Sequence, residues 1–344
     1  MLGRNPGYVT TQGQIVADLF ADNGYSVVSA SSRIGRAARL AEMVRTVVGR
    51  RREIDILVIE VYSGLSFVMA DVVSLFGKGI PMIGVLHGGN LPNFTSRYPR
   101  WTGRVLRRFN RLVAPSAFLA REIGRRGFDV GTIPNVVDVE KYPLRAREQI
   151  GPKFLWMRSF HPDYNPAMAL RVLEIVRRSY PEATMVMAGV DKGLEPEMKR
   201  SAAAMGLDTV VRFPGFLDEQ AKIREFSAAD IYLNTNRVDN TPVSVIEACA
   251  MGLPVIATNV GGISDLISDG VDGLLVSEDN AQEMADAAVR LLRDPNLAKQ
   301  LSNNGRRLAE RSSWPVVKGE WERTFVEVIG GHDTAVIRAS TELI

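Results

Sequence analysis

Short apolar segments alternate with amphipathic helical segments along almost all of this 344-residue chain. Short buried strands separated by helices are typical of parallel sheets that are covered by helices on both faces. The first half of the chain predicts strands at Tyr25–Ala30, Ile54–Glu60, Ile80–His87, Arg111–Ala114 and Val130–Ile133. The second half predicts strands at 153–158, 184–188, 210–213, 230–233, 254–257 and 273–276. We therefore expect an α/β protein of two Rossmann-like, doubly wound domains that face each other across a cleft.

The length of the chain exceeds that of most single domains, which agrees with two series of strands. We expect the first domain to cover residues 1–140 and the second to cover residues 150–312. The polar segment Asp138–Lys153 is the predicted linker between them. We expect the aromatic-rich helix within residues 313–330 to cross back to the first domain.

Composition excludes several classes of protein. Apolar residues make up 46% of the chain and charged residues 24%, as in soluble globular proteins. No apolar run of ~18 residues and no signal-peptide pattern is evident, so we expect a cytoplasmic location without a spanning helix. The single cysteine, Cys249, rules out an internal disulfide. Three histidines and one cysteine show no zinc spacing, and no dinucleotide-binding glycine pattern follows a predicted strand, so we expect neither a metal nor a cofactor.

The segment Asp239–Ala257 says most about function. Its Thr241-Pro242 pair predicts a helix start, because Thr is a good N-cap and Pro suits the first helical position. The helix predicted at 242–251 ends at a Gly-Leu-Pro turn, and a buried strand follows.

The start of this helix is suited to an anion. The backbone N–H groups of Val243 and Ser244 and the positive end of the helix dipole can bind a phosphate. Asp239 precedes the helix and Glu247 lies about one turn inside it, so both carboxylates can accept hydrogen bonds from hydroxyl groups. A phosphate site beside such carboxylates indicates a nucleotide sugar.

Three further residues stand at or just after the ends of predicted strands, where ligands bind in doubly wound sheets. Arg158 ends one strand, and its planar guanidinium suits a diphosphate because it donates two parallel hydrogen bonds. Gly189 ends the next strand. His87 follows a strand of the first half and precedes two glycines that let the backbone approach a ligand closely.

The Asp239–Ala257 segment resembles the donor-site signature of retaining glycosyltransferases of family 4, also called glycosyl transferases group 1. That signature has a Glu, seven residues, a second Glu and then Ala-x-Ala-x-Gly-x-Pro-Val-Ile-Ala. Asp239 stands where the first Glu is expected, and Glu247 occupies the second position. Arg158 matches the Arg that holds the donor diphosphate. The partner Lys of that Arg is absent, and Tyr164 or Asn165 stands near its position.

The resemblance implies the GT-B fold, in which the first Rossmann-like domain binds the acceptor and the second binds the donor. It implies that His87 lies near the reacting sugar and hydrogen-bonds to sugar hydroxyls or to the acceptor. It places Gly189 beside the nucleotide and Gly7 in a glycine loop that meets the donor phosphates. Family members usually open with an apolar strand before that loop. Residues 1–6 are too few to form one, so we expect the first sheet to lack its first strand.

The function that these matches imply is a retaining, metal-independent glycosyltransferase. It would move a sugar from a nucleoside-diphosphate sugar to a hydroxyl of a saccharide or lipid-linked acceptor, in the synthesis of envelope polysaccharide or glycolipid. Two alternatives stay open. A nucleotide-sugar epimerase of the same fold would use carboxylates and histidines as acid–base pairs. A catalytically silent sugar-nucleotide-binding protein would account for the missing Lys and the short N-terminus.

A basic stretch in the first half suggests a further partner. Residues 97–147 contain twelve Lys or Arg against four Asp or Glu, and within 97–112 the arginines alternate with apolar residues at helical spacing. Such a helix can lie on an anionic membrane surface, or it can pack its apolar side on its own sheet. We expect no nucleic-acid partner, because the net charge is only +3 and no nucleic-acid motif accompanies the stretch.

Overall fold

The computed structural model describes residues 10–147 and 149–330. The described residues divide into two compact units. The first unit contains residues up to Val136 together with residues from Trp314 onward, and the second contains Val137–Ser313. The C-terminal helix is therefore part of the first unit.

A parallel sheet forms the centre of the first unit. Its described strands are β1 (Leu57–Val61), β2 (Met82–Leu86), β3 (Arg111–Ala114) and β4 (Val130–Thr132), and they lie side by side in chain order. All five residues of β2 are buried, as expected for an inner strand of a parallel sheet. The helices that precede or connect these strands are α1 (Gln12–Asp22), α2 (Arg36–Gly49), α3 (Phe67–Phe76), α4 (Leu91–Arg97), α5 (Pro99–Leu106) and α6 (Ala117–Gly124).

One prediction for the first unit is wrong, and one helix was missed. Residues Tyr25–Ala30 do not form a strand, because they have no ladder partner among the described residues, and Val28 is 51% exposed. The structure also contains α4, which no prediction covered. Pro92 lies in the first turn of this helix, where its missing N–H costs nothing.

The helix α14 (Trp314–Ile329) packs on the sheet of the first unit. Val317, Trp321 and Val328 join a buried cluster with Phe20 of α1 and with residues of β2 and β3. The ring centroids of Phe20 and Trp314 lie 4.8 Å apart in an edge-on arrangement. Burial of each large apolar side chain contributes roughly 1.5–3 kcal/mol, so α14 is an integral part of this unit.

The second unit is built on a sheet whose described strands are all parallel. They are β5 (Lys153–Met157), β6 (Thr184–Ala188), β7 (Val211–Gly215), β8 (Ile231–Asn234), β9 (Val255–Thr258) and β10 (Leu274–Val276), in the spatial order β10-β9-β8-β5-β6-β7. The helices are α7 (Pro166–Val176), α8 (Glu195–Ala204), α9 (Glu219–Ala228), α10 (Val243–Ala250), α11 (Ile263–Leu266), α12 (Ala281–Arg293) and α13 (Pro295–Glu310).

Helices cover both faces of this sheet. Phe154 and Trp156 of β5 belong to a buried cluster with residues of α7, α8 and α12. Leu155 and Met157, which alternate with them, belong to a second cluster with residues of α10 and α13. The period of two along β5 therefore supplies one core on each side of the sheet, as in Rossmann-like folds.

The segment predicted as a linker, Asp138–Lys153, is folded into the second unit. Tyr142 is buried, and Arg147 is only 1% exposed. The Arg147 guanidinium donates hydrogen bonds to the carbonyl oxygens of Phe226, Ala229 and Met251 at 3.0 Å each. These carbonyls lie at or near the C-terminal ends of α9 and α10, where helices leave acceptors unused. Burial, reinforced by the neighbouring Arg145, lowers the pKa of Arg147 to about 10.

Candidate functional site

The order of the strands reverses between β5 and β8 of the second unit. The chain runs from β5 outward to β7 on one side, and then returns to place β8 next to β5. In open parallel sheets, ligands bind outside the carboxyl ends of the strands at such a point. The loops that leave β5 and β8 here carry Arg158 and Asp239, the two charged residues that the sequence assigned to a diphosphate and to hydroxyl groups.

Arg158 and Asp239 meet directly, although 81 positions separate them in the chain. Arg158 Nη2 donates to Asp239 Oδ2 at 2.6 Å, and the two side chains are only 16% and 13% exposed. The guanidinium carbon also lies 4.1 Å from the centroid of the Tyr164 ring. Burial would lower the pKa of Arg158, but the charge of Asp239 and the tyrosine oxygens outweigh it and raise the pKa. The site therefore holds a permanent buried cation.

Two buried polar atoms beside this ion pair have no hydrogen-bond partner within residues 10–147 and 149–330. They are Arg158 Nε and Asn236 Oδ1. The other end of the Asn236 amide donates to Asp239 Oδ2. Buried polar atoms are nearly always paired in native proteins. A donor and an acceptor without partners, next to the same carboxylate, indicate a place for a polar ligand.

Two glycines fix the backbone of the charged residues. A Cβ on Gly189 would lie 1.9 Å from the carbonyl oxygen of Arg158, and one on Gly261 would lie 2.1 Å from that of Asp239. Both glycines also have positive φ angles. Any side chain here would push the loops apart. Gly189 therefore lies against the backbone of Arg158 and contributes to the site by packing.

The helix α10 begins one residue later than the sequence predicted. Pro242 occupies the capping position with an extended backbone, and the first bonds of the helix run from the N–H groups of Val245 and Ile246 to the Pro242 carbonyl. The N–H groups of Val243 and Ser244 precede those bonds and are not used within the helix. Because α10 follows the Asp239 loop directly, this helix start lies at the same edge of the sheet.

Glu247 is buried in α10 with partners that the sequence did not reveal. Its Oε1 accepts a hydrogen bond from the Tyr142 hydroxyl at 2.8 Å and also contacts Lys222 Nζ. Burial, followed by the charge of Glu247, raises the pKa of Tyr142, so its hydroxyl remains a donor. Oε2 makes no hydrogen bond to any residue that the structure describes. One carboxylate oxygen of Glu247 is thus held by Tyr142 and Lys222, and the other is available as a hydrogen-bond acceptor.

Neither residue near the position of the missing Lys supplies a cation. The Tyr164 ring stacks on Arg158, as described above. Asn165 has left-handed backbone angles, and its amide donates to Asp279 Oδ1 at 2.6 Å. Asn165 therefore stabilises a loop, and Tyr164 supports the guanidinium face through a cation–π contact.

His87 lies in the first unit, directly after β2. Its ring Nε2 contacts the carboxylate of Glu60 on β1, and its ring stacks on Tyr62 with the centroids 5.0 Å apart. The backbone N–H of His87 donates to the Val61 carbonyl at 2.9 Å, which continues the pairing of β1 and β2. Sequence reasoning identified His87 but neither of its partners.

The basic stretch forms part of α4 and α5 in the first unit. Asp71 of α3 accepts hydrogen bonds from Trp101 Nε1 at 2.6 Å, from Arg104 at 3.2 Å and from Arg108 at 2.7 Å. The apolar side of α5 is therefore buried on its own unit, and one acidic residue partly compensates its charge. Arg97, Arg100 and Arg107 are exposed.

Three further expectations concern Gly7, metal binding and membrane-spanning helices. Gly7 lies outside the described residues. No group of three or more His, Cys, Asp or Glu side chains in the described ranges could hold a metal ion. Among the helices described here, none is long and apolar enough to cross a membrane.

Two family models match the chain in succession. The model of glycosyl transferases group 1 matches residues 145–308, and that of glycosyltransferase family 4 matches residues 16–141. The group 1 match coincides closely with the second unit of the structure. The family 4 match lies largely within the first unit.

Curated relatives share a part of their length with the chain. A phosphatidyl-myo-inositol mannosyltransferase of Mycobacterium leprae is 27% identical over 59% of this chain and 54% of its own. A D-inositol 3-phosphate glycosyltransferase of Saccharomonospora viridis is 33% identical over 38% of this chain and 31% of its own. The chain thus aligns with about half or less of the length of these relatives.

Solved structures share the fold over most of the chain. Anabaena HepE in complex with UDP and glucose has a TM-score of 0.70 at 20% identity, with 86% of this chain and 84% of that chain covered. Sucrose-phosphate synthase from Thermosynechococcus elongatus has a TM-score of 0.77 at 16% identity, with 93% of both chains covered. The predicted GT-B fold is confirmed. The chain belongs to the family 4, or group 1, glycosyltransferases.

Proposed function

We propose that this protein is a retaining, metal-independent glycosyltransferase that moves a sugar from a nucleoside-diphosphate sugar to a hydroxyl acceptor. The second unit binds the donor and the first unit binds the acceptor. The observation that carries the proposal is the buried Arg158, whose Nε lacks a partner among the described residues, at the point where the strand order reverses. HepE, which has the same fold, was solved with UDP and with UDP-glucose.

The leaving group of such a reaction is a nucleoside diphosphate, on which negative charge develops as the sugar departs. Fixed positive groups aimed at that charge lower the barrier, because they need no reorganisation during the reaction. Arg158 and the N–H groups of Val243 and Ser244 supply them here. Because Tyr164 and Asn165 stand near the position of the family's partner Lys, Arg158 is the main side chain that neutralises the diphosphate.

The carboxylates bind hydroxyl groups of the donor. Glu247 accepts hydrogen bonds from the ribose through Oε2, while Tyr142 and Lys222 hold Oε1. Asp239 accepts hydrogen bonds from the sugar, since a carboxylate offers about four acceptor positions and the described contacts leave some unused. Asp239 is therefore shared between Arg158 and the sugar.

No residue of the donor site acts as a general base in this proposal. The departing phosphate takes the proton of the acceptor hydroxyl on the same face of the sugar, which retains the configuration of the anomeric carbon. His87 hydrogen-bonds to a hydroxyl of the sugar or of the acceptor and orients it. The fixed cation, Arg158, replaces a divalent ion at the leaving group.

A panel of nucleotide sugars tests the proposal. Release of a nucleoside diphosphate that depends on an added acceptor and persists in EDTA supports transfer without metal, and NMR of the product's anomeric proton reports retention. Formation of an epimer without an acceptor would instead identify an isomerase, and binding without either product would identify a silent binding protein.

The contribution of the site is tested with Glu247→Gln, which should reduce turnover by about 10- to 100-fold through the lost ribose contact. Glu225→Gln is a matched control in the same unit, because Glu225 also forms an ion pair, with Arg212. Equal loss in both variants, or full activity of Glu247→Gln, would remove Glu247 from the donor site.

We further propose that residues 97–112 dock the protein on the inner, anionic face of the membrane, where glycolipid or envelope polysaccharide acceptors are assembled. Three exposed arginines, Arg97, Arg100 and Arg107, support this role because each basic residue near such a surface contributes about 1 kcal/mol. Replacing all three with Gln should abolish co-sedimentation with phosphatidylserine vesicles. The same change at Arg290, Arg293 and Lys299 of the second unit is the control, and equal binding of both triple variants would refute the role.

A further inference from the structure

We propose that Glu60 is the positioning residue of His87: its carboxylate accepts the Nε2–H proton, so that His87 presents Nδ1 as a hydrogen-bond acceptor to a substrate hydroxyl. The inference rests on the proposed function, in which His87 contacts the sugar or the acceptor. It adds the residue that sets the tautomer and orientation of His87.

The pairing of β1 and β2 brings the two residues together. Glu60 is paired in register with Val85, and Val61 with Leu86, so His87 follows at the next step beside Tyr62. The His87 N–H bond to the Val61 carbonyl fixes the backbone at this step. The His87 and Glu60 side chains are only 11% and 20% exposed, and Nε2 of the ring contacts Oε2 of the carboxylate. Nε2 is buried and makes no aligned hydrogen bond to any described residue. The Glu60 carboxylate is therefore the acceptor that its proton can reach.

Tyr62 limits the movement of both groups. Its ring lies nearly parallel to the imidazole, with an interplanar angle of 17°. Its hydroxyl lies 3.5 Å from Glu60 Oε2. Burial, followed by the charge of Glu60, raises the pKa of Tyr62, so the hydroxyl stays protonated and can donate to the carboxylate. The imidazole is thus held on one face by the tyrosine ring and at one nitrogen by the carboxylate.

The first turn of α1 is shaped to admit the Glu60 carboxylate. A Cβ on Gly13 would lie 2.7 Å from Glu60 Oε1 and 2.8 Å from the carboxyl carbon. Only glycine at this position lets the carboxylate lie against the helix. The N-terminal end of a helix carries partial positive charge, which stabilises an anion there. Gly13 thus makes room for the Glu60 carboxylate, which in turn contacts His87.

The chemical consequence lies at the other ring nitrogen. A neutral imidazole has one donor and one acceptor nitrogen, and the hydrogen bond at one decides the role of the other. His87 Nδ1 makes no hydrogen bond to a residue in the described part of the chain. When Glu60 accepts the Nε2–H proton, Nδ1 can accept a hydrogen bond from a substrate hydroxyl. This hydrogen bond orients the hydroxyl and the lone pairs of its oxygen. The hydroxyl proton is held at Nδ1 and is not transferred to it.

NMR of the histidine ring tests the arrangement without any substrate. The chain contains only three histidines, so replacing His161 and His332 with Gln leaves His87 as the sole signal. We expect an Nε2–H proton that exchanges slowly with water in this background. Glu60→Gln should abolish that protection. A fast-exchanging Nε2–H, or a proton on Nδ1, in the presence of Glu60 would overturn the inference, whether or not the protein transfers sugar.

Kinetics with the full chain tests whether Glu60 acts through His87. Glu60→Ala should lower kcat/KM for the acceptor by about 10- to 100-fold, as expected for the loss of a hydrogen bond to a charged group, and should leave the Kd of the nucleoside diphosphate unchanged. Glu60→Asp should recover part of the rate. In a His87→Ala background, Glu60→Ala should have no further effect. Additive losses in the double variant would overturn the positioning role.

Gly13→Ala provides a test that removes no functional group. The added methyl must displace the Glu60 carboxylate, so both the protected Nε2–H signal and kcat/KM should fall. Gly49→Ala is the matched control, because a Cβ at Gly49 meets nothing within 4 Å in the same unit. Retention of the signal and the rate in Gly13→Ala, as in the control, would refute the fit between α1 and the carboxylate.

Discussion

Replacing Asp239 with Asn should lower stability and at the same time tighten binding of a nucleoside diphosphate. Asp239 is the buried counter-ion of Arg158, at 2.6 Å. Asn keeps the size of the side chain but removes its charge. Breaking a buried ion pair by removing one partner costs about 3 kcal/mol, because the remaining charge stays desolvated. For the second unit, with about 180 residues, a loss of this size lowers Tm by about 6–12 °C.

Asp239→Asn should strengthen the binding of a nucleoside diphosphate although it lowers the stability of the protein. Under the proposed function, a diphosphate competes with Asp239 for the Arg158 guanidinium in the wild-type protein, and a hydrogen bond to a charged group is worth about 1.5–3 kcal/mol. Without that competition, the diphosphate should bind about 10- to 100-fold more tightly. Transfer should nevertheless slow, because Asp239 no longer accepts hydrogen bonds from the sugar. The loss in turnover should be smaller than that of Glu247→Gln.

Thermal unfolding and calorimetric titration with a nucleoside diphosphate measure both effects. Glu195→Gln serves as the control, because Glu195 pairs at 2.7 Å with Lys199, whose side chain is 53% exposed. A pair of this kind contributes less than about 1 kcal/mol. Weaker diphosphate binding in Asp239→Asn, or a Tm equal to that of the control, would show that Asp239 does not restrain Arg158.

Three further changes test other parts of the structure. Lys222→Met should lower the free energy of unfolding by about 2 kcal/mol in chemical denaturation, because Glu247 keeps a buried charge without its cation; an unchanged midpoint would contradict the pairing. Arg147→Met should cost about 4 kcal/mol, because several buried carbonyls lose their donor, and a urea midpoint within error of wild type would refute this. For Asp71, burial raises the pKa, but Trp101 and Arg108 outweigh it and hold the pKa below its usual value. The stabilisation is therefore present above about pH 4 and lost as the pH falls through the folded pKa. Asp71→Asn should be less stable than wild type by about 1–2 kcal/mol at pH 7, and this difference should shrink as the pH falls below about 4. A difference that stays constant down to acid pH would exclude this linkage.

Most of the secondary structure follows from local pattern. The predicted strand Arg111–Ala114 is identical to β3, because a buried apolar run bounded by polar loops is a local signal. Tyr25–Ala30 has a similar composition but forms no strand. A strand exists only when another strand pairs with it, and composition does not contain that information.

The sequence predicted the residues of the candidate site but not their contacts. Arg158, Asp239 and Glu247 were predicted from strand ends, a helix start and a family signature. The pairing of Arg158 with Asp239 and of Glu247 with Lys222 joins distant segments, and no spacing rule predicts such contacts. Glu60 is a charged residue within an apolar strand, which is a weak signal. Its meaning becomes clear only through the neighbouring strand that carries His87.

The reversal of strand order between β5 and β8 also has a consequence for how the second unit folds. Strands β5, β6 and β7 pair with neighbours that are close in the chain, and so do β8, β9 and β10. The β5–β8 ladder closes a much longer loop, and such non-local pairings are slow to form because the chain loses entropy before the contacts stabilise it. Arg158 follows β5 and Asp239 lies in the loop after β8, and 81 positions of the chain separate the two residues. Neither half of the sheet alone brings them together, so under the proposed function a nucleotide binds only a chain whose two halves have joined. Bound nucleotide should accordingly retard the separation of β5 from β8 during unfolding more than it retards the loss of either three-stranded half.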